Sequence, residues 1–145
     1  MNTYIKTVPS QSSEYLNKTW EIKEEINDKQ SLLRQNWSLF SKLYRKGEIY
    51  LIKNIDEEVI GYALVNSGDY ISILAIHPSH QGAGFGTELM HKIKREYDFF
   101  YLHVRTSNKP AVRFYKRVGL GITDYVINYY DNNDKAYIMS YRSSE

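Results

Sequence analysis

Apolar and polar positions along the chain follow two regular spacings, and these spacings predict its secondary structure. Apolar residues that recur every three or four positions are typical of amphipathic helices, whereas alternating or continuously apolar runs between turn residues are typical of strands. The predicted helices cover residues 14–27, a segment around 33–44 that ends at Gly47, a segment after the glycines at 82–86, and a segment from 108 to 119. The predicted strands cover residues 4–8, 48–53, 59–65, 70–76, 99–105, 122–127 and 136–141.

The predicted order of elements is β-α-α-β-β-β-α-β-α-β-β, which indicates an α/β layer fold with a mixed sheet. We expect one domain over residues 1–145, because a chain of this length fits a single compact core. Trp20 and Trp37 lie within the apolar patterns of the first two helices, and we expect both to be core residues.

Composition removes several classes of function. The chain has no cysteine, which excludes a disulfide framework, a thiolate nucleophile and a cysteine-based zinc site. Its net charge of +2 argues against a dedicated nucleic-acid binder, and no apolar run approaches the roughly 18 residues of a membrane span. The histidines show no convincing metal-ligand spacing, so we expect no metal site. A reducing, cytoplasmic setting is the natural expectation for such a chain.

The distribution of charge is more informative than its sum. Residues 82–117 carry eight Lys or Arg against three acidic residues, whereas the first predicted helix is rich in glutamate. One interpretation is that these are solvated helix faces. The other is a cationic half for a polyanionic cofactor and an acidic half near a cationic substrate.

A glycine-rich turn at residues 81–87 stands between a strand and a helix. Its backbone N–H groups and the helix dipole would attract a ligand that bears phosphate. Glycines at 82, 84 and 86, past the middle of the chain, do not fit a Rossmann fingerprint, and Thr87 lacks the preceding lysine of a P-loop. The turn therefore predicts a phosphate-bearing cofactor of another kind.

The pattern that fits is Gln81-x-x-Gly84-x-Gly86 followed by Asn108-x-x-Ala111-x-x-x-Tyr115. This combination resembles the GNAT acetyltransferase family over residues from about 70 to 141, while residues 1–69 match only in element order. Residues 102–119 and 128–139 are most similar to the branch that acetylates protein N-termini, including those of ribosomal proteins. The resemblance implies a central mixed, mostly antiparallel sheet flanked by about four helices.

The resemblance also implies acetyl-CoA as cofactor and a binding role for each matched position. The turn would hold the pyrophosphate, and the strand before it would pair with the pantetheine arm through backbone groups. The predicted cofactor residues are Leu74, Ala75, Ile76, Gln81, Gly82, Ala83, Gly84, Phe85, Gly86, Thr87 and Asn108. For Asn108, a simple helix cap is an alternative role.

Two residues match catalytic positions of the family. His103 stands where many members have glutamate, and it could accept a proton from the acceptor amine at neutral pH. The alternative is a strand histidine packed beside Tyr101 and Arg105 with no chemical role. Tyr115 matches the tyrosine that returns a proton to the CoA sulfur.

Tyr129 and Tyr130 match a loop that lies over the acceptor in this branch, although a tyrosine-rich hairpin packed on itself is the alternative. The leading prediction is an N-terminal peptide acetyltransferase of ribosomal-protein type. A polyamine, small-amine or lysine acetyltransferase is the first alternative, and a non-catalytic acetyl-CoA sensor or partner subunit is the second. We expect a monomer or homodimer, without a nucleic-acid or membrane partner.

Overall fold

The structure is a computed structural model. It describes residues 2–9, 12–30, 36–127, 129 and 135–144, and for residues 27–30 it describes only the backbone. Its elements in chain order are β1 (Thr3–Val8), α1 (Leu16–Gln30), α2 (Trp37–Lys46), β2 (Glu48–Asn54), β3 (Val59–Asn66), β4 (Tyr70–Ile76), a 3-10 turn (Pro78–His80), α3 (Phe85–Glu96), β5 (Phe99–Arg105), α4 (Lys109–Arg117), β6 (Gly121–Val126) and β7 (Ala136–Arg142). The predicted order of helices and strands is confirmed. No helix in the described ranges is long and apolar enough to cross a membrane.

The seven strands that the described residues form make one sheet in the order β1-β2-β3-β4-β5-β7-β6. Every neighbouring pair is antiparallel except β4 and β5, which run parallel. These two strands are in register only at Tyr70 and Tyr101. The predicted mixed, mostly antiparallel sheet is therefore confirmed, and it opens between β4 and β5 beyond that single pair.

Each face of the sheet carries its own apolar cluster. On one face, Phe85, Leu89 and Ile93 of α3 pack with alternate strand residues. On the other face, α1 and α2 pack against the sheet through residues such as Ile22 and Phe40. The helices thus form two layers, with α3 and α4 on one side and α1 and α2 on the other.

The core assignment of Trp37 is wrong, because 42% of its surface is exposed. Trp20 is only half-buried, and the two indole rings meet edge to face at 5.3 Å between centroids. Phe40, one helical turn after Trp37, is fully buried instead and packs against both rings. Helical periodicity identified the correct side of α2, but it did not show where that side meets solvent.

A bulge in β4 changes which way its side chains point. Leu64 on β3 is opposite Ile73, whereas the next residue, Val65, is opposite Ile71, so Ser72 is an extra residue on β4. Ile71 belongs to the α3 cluster and Ile73 to the α1/α2 cluster, although strict alternation would place both on one face. The bulge therefore reverses which face of the sheet the odd-numbered side chains of β4 occupy.

Gly61 allows β3 and β4 to lie close together, and replacing it tests this packing. A Cβ atom at Gly61 would lie 2.6 Å from the Ala75 carbonyl oxygen and 2.6 Å from Ile76 Cδ1. We expect Gly61→Ala to lower the free energy of unfolding by about 1–3 kcal/mol, measured as a lower urea midpoint at unchanged slope.

The matched control is Gly121→Ala on β6, where an added Cβ would meet nothing within 4 Å. This variant should stay within about 0.5 kcal/mol of the parent protein. Equal stability of the two variants would show that the approach of β3 to β4 is not limited by this glycine.

Candidate active site

The opening between β4 and β5 forms a cleft of about 990 Å³. Its lining comes from both layers of the fold: the turn before α3 and most of α4 on one side, and Ile26 of α1 with Leu39 of α2 on the other. The cleft therefore passes through the sheet, and two ligands could meet in it from opposite faces.

The turn before α3 has the geometry of an anion site. Gly82 and Gly84 adopt left-handed backbone angles, with φ of 82° and 89°. Gly84 caps α3, and no side chain caps the first N–H groups of this twelve-residue helix. Those groups and the helix dipole are suited to a phosphate. The Gln81 side chain donates a hydrogen bond to the Ile76 carbonyl oxygen at 3.1 Å, which holds the turn against β4.

The edge of β4 presents backbone groups to the cleft. The His77 N–H donates to the Ile60 carbonyl oxygen on β3 at 2.8 Å. Because backbone groups alternate in direction along a strand, those of Leu74 and Ile76 point the other way, into the cleft. Ala75 is buried toward α1 and α2, outside the cleft lining.

Helix α4 and its N-cap bring two predicted residues, Asn108 and Tyr115, to the same side of the cleft. The Asn108 side chain accepts a hydrogen bond from the Ala111 N–H at 3.3 Å, which confirms the helix cap. Asn108 also lines the cleft, as do Tyr115 and Arg117. A Cβ atom at Gly86 would lie 3.2 Å from Phe114 Cζ, so the glycine allows α4 to approach the turn.

Nine of the eleven residues predicted to bind the cofactor line this cleft. They are Leu74, Ile76, Gln81, Gly82, Gly84, Phe85, Gly86, Thr87 and Asn108. The other two, Ala75 and Ala83, lie outside the lining, and Ala83 is exposed. The binding roles themselves stay predictions.

His103 lies in the cleft on the side of α1 and α2. Its neighbours on β5, Leu102 and Val104, are buried in the α3 cluster, so alternation turns the imidazole to the opposite face. The Tyr70 hydroxyl lies 2.8 Å from His103 Nδ1. The bulge after Ile71 allows Tyr70 and Leu74 to face opposite sides of the sheet. Tyr70 faces α1 and α2, where it reaches His103, while Leu74 packs against the α3 cluster.

The sequence patterns did not indicate Tyr70. The chain has fourteen tyrosines, and this one stands at the start of a strand with no motif around it. Only the parallel pairing of Tyr70 with Tyr101 brings it within reach of His103, two residues further along β5. Knowledge that β4 and β5 are parallel neighbours would have been needed to find it.

The Tyr129 ring stacks on one face of the His103 imidazole. The two rings are parallel within 6°, and their centroids are 4.2 Å apart. Tyr129 also lines the cleft, and its contact with the acceptor stays a prediction, whereas Tyr130 lies outside the described residues. Burial of His103 lowers its pKa below the ordinary value, which favours the neutral ring that a base requires.

The charged residues that line the cleft are Arg105 and Arg117, and no Asp or Glu of the described part of the chain joins them. Glu25 on the acidic helix α1 instead pairs with His77 Nε2 at 2.7 Å and lies outside the cleft lining. Of the two interpretations of the acidic helix, the solvated face is thus favoured over a contact with a cationic substrate.

Comparison with known proteins agrees with this geometry. The model of the family described as Acetyltransferase (GNAT) family matches residues 11–120. An N-alpha-acetyltransferase of Sulfolobus acidocaldarius is 26% identical over an alignment that covers 83% of this chain and 86% of that protein.

Solved structures show the same fold. The ribosomal-protein-S18-alanine N-acetyltransferase from Escherichia coli has a TM-score of 0.79 at 18% identity, with 99% of this chain and 96% of that one covered. A GNAT family acetyltransferase from Elizabethkingia anophelis, solved with acetyl-CoA bound, has a TM-score of 0.75 at 17% identity and covers 98% and 99%. At these identities the likeness concerns the fold alone.

The environment of His103 predicts a pH dependence that does not require turnover. We expect its pKa, followed by NMR of the imidazole protons, to lie below about 6.5. The unfolded chain then binds this proton more readily than the folded protein. The contribution of the neutral His103 ring to the free energy of unfolding is complete above about pH 6.5. It is lost as pH falls through the pKa that His103 has in the folded protein.

His103→Gln should remove this part of the pH dependence of unfolding, measured in urea between about pH 5 and 7. A His103 pKa at or above about 6.5 would contradict the description of a ring kept neutral by burial.

Proposed function

Because this chain belongs to the GNAT acetyltransferase family and is an N-acetyltransferase, we propose that it transfers acetyl from acetyl-CoA to the N-terminal α-amine of a protein or peptide. One observation carries the proposal: the cleft passes through the sheet, with the anion-binding turn on one side and the Tyr70–His103 pair on the other. A donor and an acceptor that enter from opposite faces would meet between β4 and β5.

The donor would lie on the side of α3 and α4. Its pyrophosphate would accept hydrogen bonds from the N–H groups at the start of α3, and Arg117 would add positive charge nearby. The pantetheine arm would pair with the edge of β4 through backbone groups of Leu74 and Ile76. Backbone N–H groups there could also stabilise negative charge on the thioester oxygen as it develops.

The acceptor amine would lie beside His103 on the other face. In the tautomer in which Nδ1–H donates to the Tyr70 hydroxyl, the imidazole would take the amine proton at Nε2, directly or through a water. The amine nitrogen then bonds to the thioester carbonyl carbon and the carbon–sulfur bond breaks. Tyr115 would give its hydroxyl proton to the departing thiolate, and its phenolate would take up the second proton that the nitrogen loses, so the products are an amide and CoA.

The pKa values of the two kinds of protein amine favour an N-terminus over a lysine. An α-amine has a pKa of about 7.7–8.0 and a lysine about 10.4, so a lysine costs roughly 2.5 further pKa units to deprotonate. A histidine whose pKa lies below its ordinary value is a weak base. Such a base is matched to an amine that titrates near neutral pH.

The cleft also favours a peptide over a polyamine. No Asp or Glu in the described lining offers a polycation an opposite charge. On the acceptor side, Ile26 and Leu39 contribute apolar side chains instead. The Tyr70–His103 pair and Tyr115 in one cleft are chemical groups that a non-catalytic acetyl-CoA sensor would not need.

A panel of acceptors tests the proposal directly. The purified protein is given acetyl-CoA and one of three acceptors, and CoA release is measured. The acceptors are peptides with a free N-terminus, the same peptides with a blocked N-terminus and one internal lysine, and spermidine. We expect kcat/KM for unblocked peptides to exceed the other values by at least about 10²-fold, which corresponds to the pKa difference between the two amines.

In the same assay, Tyr115→Phe should lower kcat by about 10²-fold and leave the Kd for acetyl-CoA nearly unchanged. Tyr125→Phe, on exposed β6 and outside the cleft lining, is the matched control and should leave both unchanged. Preference for spermidine or for the blocked lysine peptide would overturn the proposed acceptor. Tight acetyl-CoA binding with no release from any acceptor would indicate the sensor.

A further inference from the structure

The rings of Tyr129 and His103 are stacked, and this contact involves no substrate. We propose that Tyr129 is a positioning residue, whose ring covers one face of the imidazole, holds it against Tyr70 and keeps water from that face. The consequence for catalysis rests on the proposed function of His103 as the base. The effect on the imidazole itself does not depend on any substrate.

The imidazole is held in two perpendicular directions. Within the ring plane, the Tyr70 hydroxyl fixes Nδ1 at 2.8 Å, and the Tyr70 ring meets the imidazole at 74°. Perpendicular to that plane, the Tyr129 ring lies parallel to the imidazole with centroids 4.2 Å apart. Rotation about either side-chain torsion of His103 would break one of these contacts, so the pair sets the direction of Nε2.

Tyr129 is placed to separate the imidazole from solvent. It lies between β6 and β7, and β7 pairs with β5 so that Ile138 is opposite His103. With 43% of its surface exposed, Tyr129 has one side on the imidazole and another in water. A tyrosine suits this position, because its ring is apolar and its hydroxyl is polar.

The other titratable or charged groups around His103 would remain if the Tyr129 ring were removed. In the described part of the chain these are Tyr70 from β4, and Tyr101 and Arg105 from the same strand and face. Burial, and not a neighbouring charge, is the cause that lowers the His103 pKa. Because the Tyr129 ring covers one face of the imidazole, its removal should expose that face and be seen directly in the titration of the imidazole.

Two variants separate the ring of Tyr129 from its hydroxyl. Tyr129→Phe keeps the stacking surface and removes the hydroxyl, whereas Tyr129→Ala removes both. If the hydroxyl served only to hold an acceptor backbone, Phe and Ala would raise KM alike and neither would change the imidazole. If the ring positions His103, the imidazole of the Phe variant should titrate as in the parent protein, whatever happens to KM.

The test is the NMR titration of His103 in the parent protein, in both Tyr129 variants and in Tyr125→Ala. Tyr125 is a matched control, since it is a similarly exposed tyrosine on β6 that lies outside the cleft lining. We expect Tyr129→Ala to raise the His103 pKa toward about 6.5. Tyr129→Phe and Tyr125→Ala should leave it at the parent value. The rising limb of kcat/KM against pH should move with the pKa in each variant.

An unchanged His103 pKa in Tyr129→Ala would overturn the proposal, and so would a Phe variant that titrates as the Ala variant does. The proposed function can fail separately. If the pKa moves as expected but no peptide is acetylated, the positioning role stands and the acceptor assignment fails. If peptides are acetylated and the His103 pKa does not move in Tyr129→Ala, the acceptor assignment stands and the positioning role fails.

Discussion

The separation of β4 from β5 beyond one residue pair determines where ligands can enter and meet in this protein. Two parallel strands pair at Tyr70 and Tyr101 and then part, although both continue for several residues. Backbone groups that leave a sheet need another partner, since unpaired polar groups away from water are costly. The edge of β4 is therefore suited to an extended ligand, and the gap allows ligands from both faces to meet.

The bulge at Ser72 gives β4 two chemical characters. Before it, Tyr70 faces α1 and α2 and reaches His103, and after it, Leu74 and Ile76 pack against the α3 cluster. In a regular strand of the same sequence, without the bulge, these three side chains would lie on one face. One strand thus supplies a hydrogen bond on the acceptor side and an apolar wall on the donor side.

Much of this fold could be predicted from the sequence, because local signals specify it. Periodicity identified the helices and strands in order, and the Asn108 cap depends on a residue only three positions away. The contact of Tyr70 with His103 spans 33 residues and depends on strand order and a bulge, neither of which has a periodic signal. The stack of Tyr129 on His103 and the exposure of Trp37 are likewise set by tertiary packing.

The spacing of motif residues predicted the candidate site better than the charge pattern of the sequence did. The glycine turn and Tyr115 belong to a spacing that the family match supports, and both line one cleft. The acidic character of α1 suggested a cationic acceptor, but its Glu25 pairs with His77 outside the cleft lining. Charge along a sequence does not show which face of a helix a residue occupies.

The central claim is that the edge of β4 in this gap binds the donor. Amide hydrogen exchange of the protein with and without saturating acetyl-CoA tests it most directly. We expect slower exchange of the Leu74 and Ile76 N–H groups on binding, while those of Ile73 and Ala75, which face β3, change little. Unchanged exchange at Leu74 and Ile76 with the cofactor bound would contradict it.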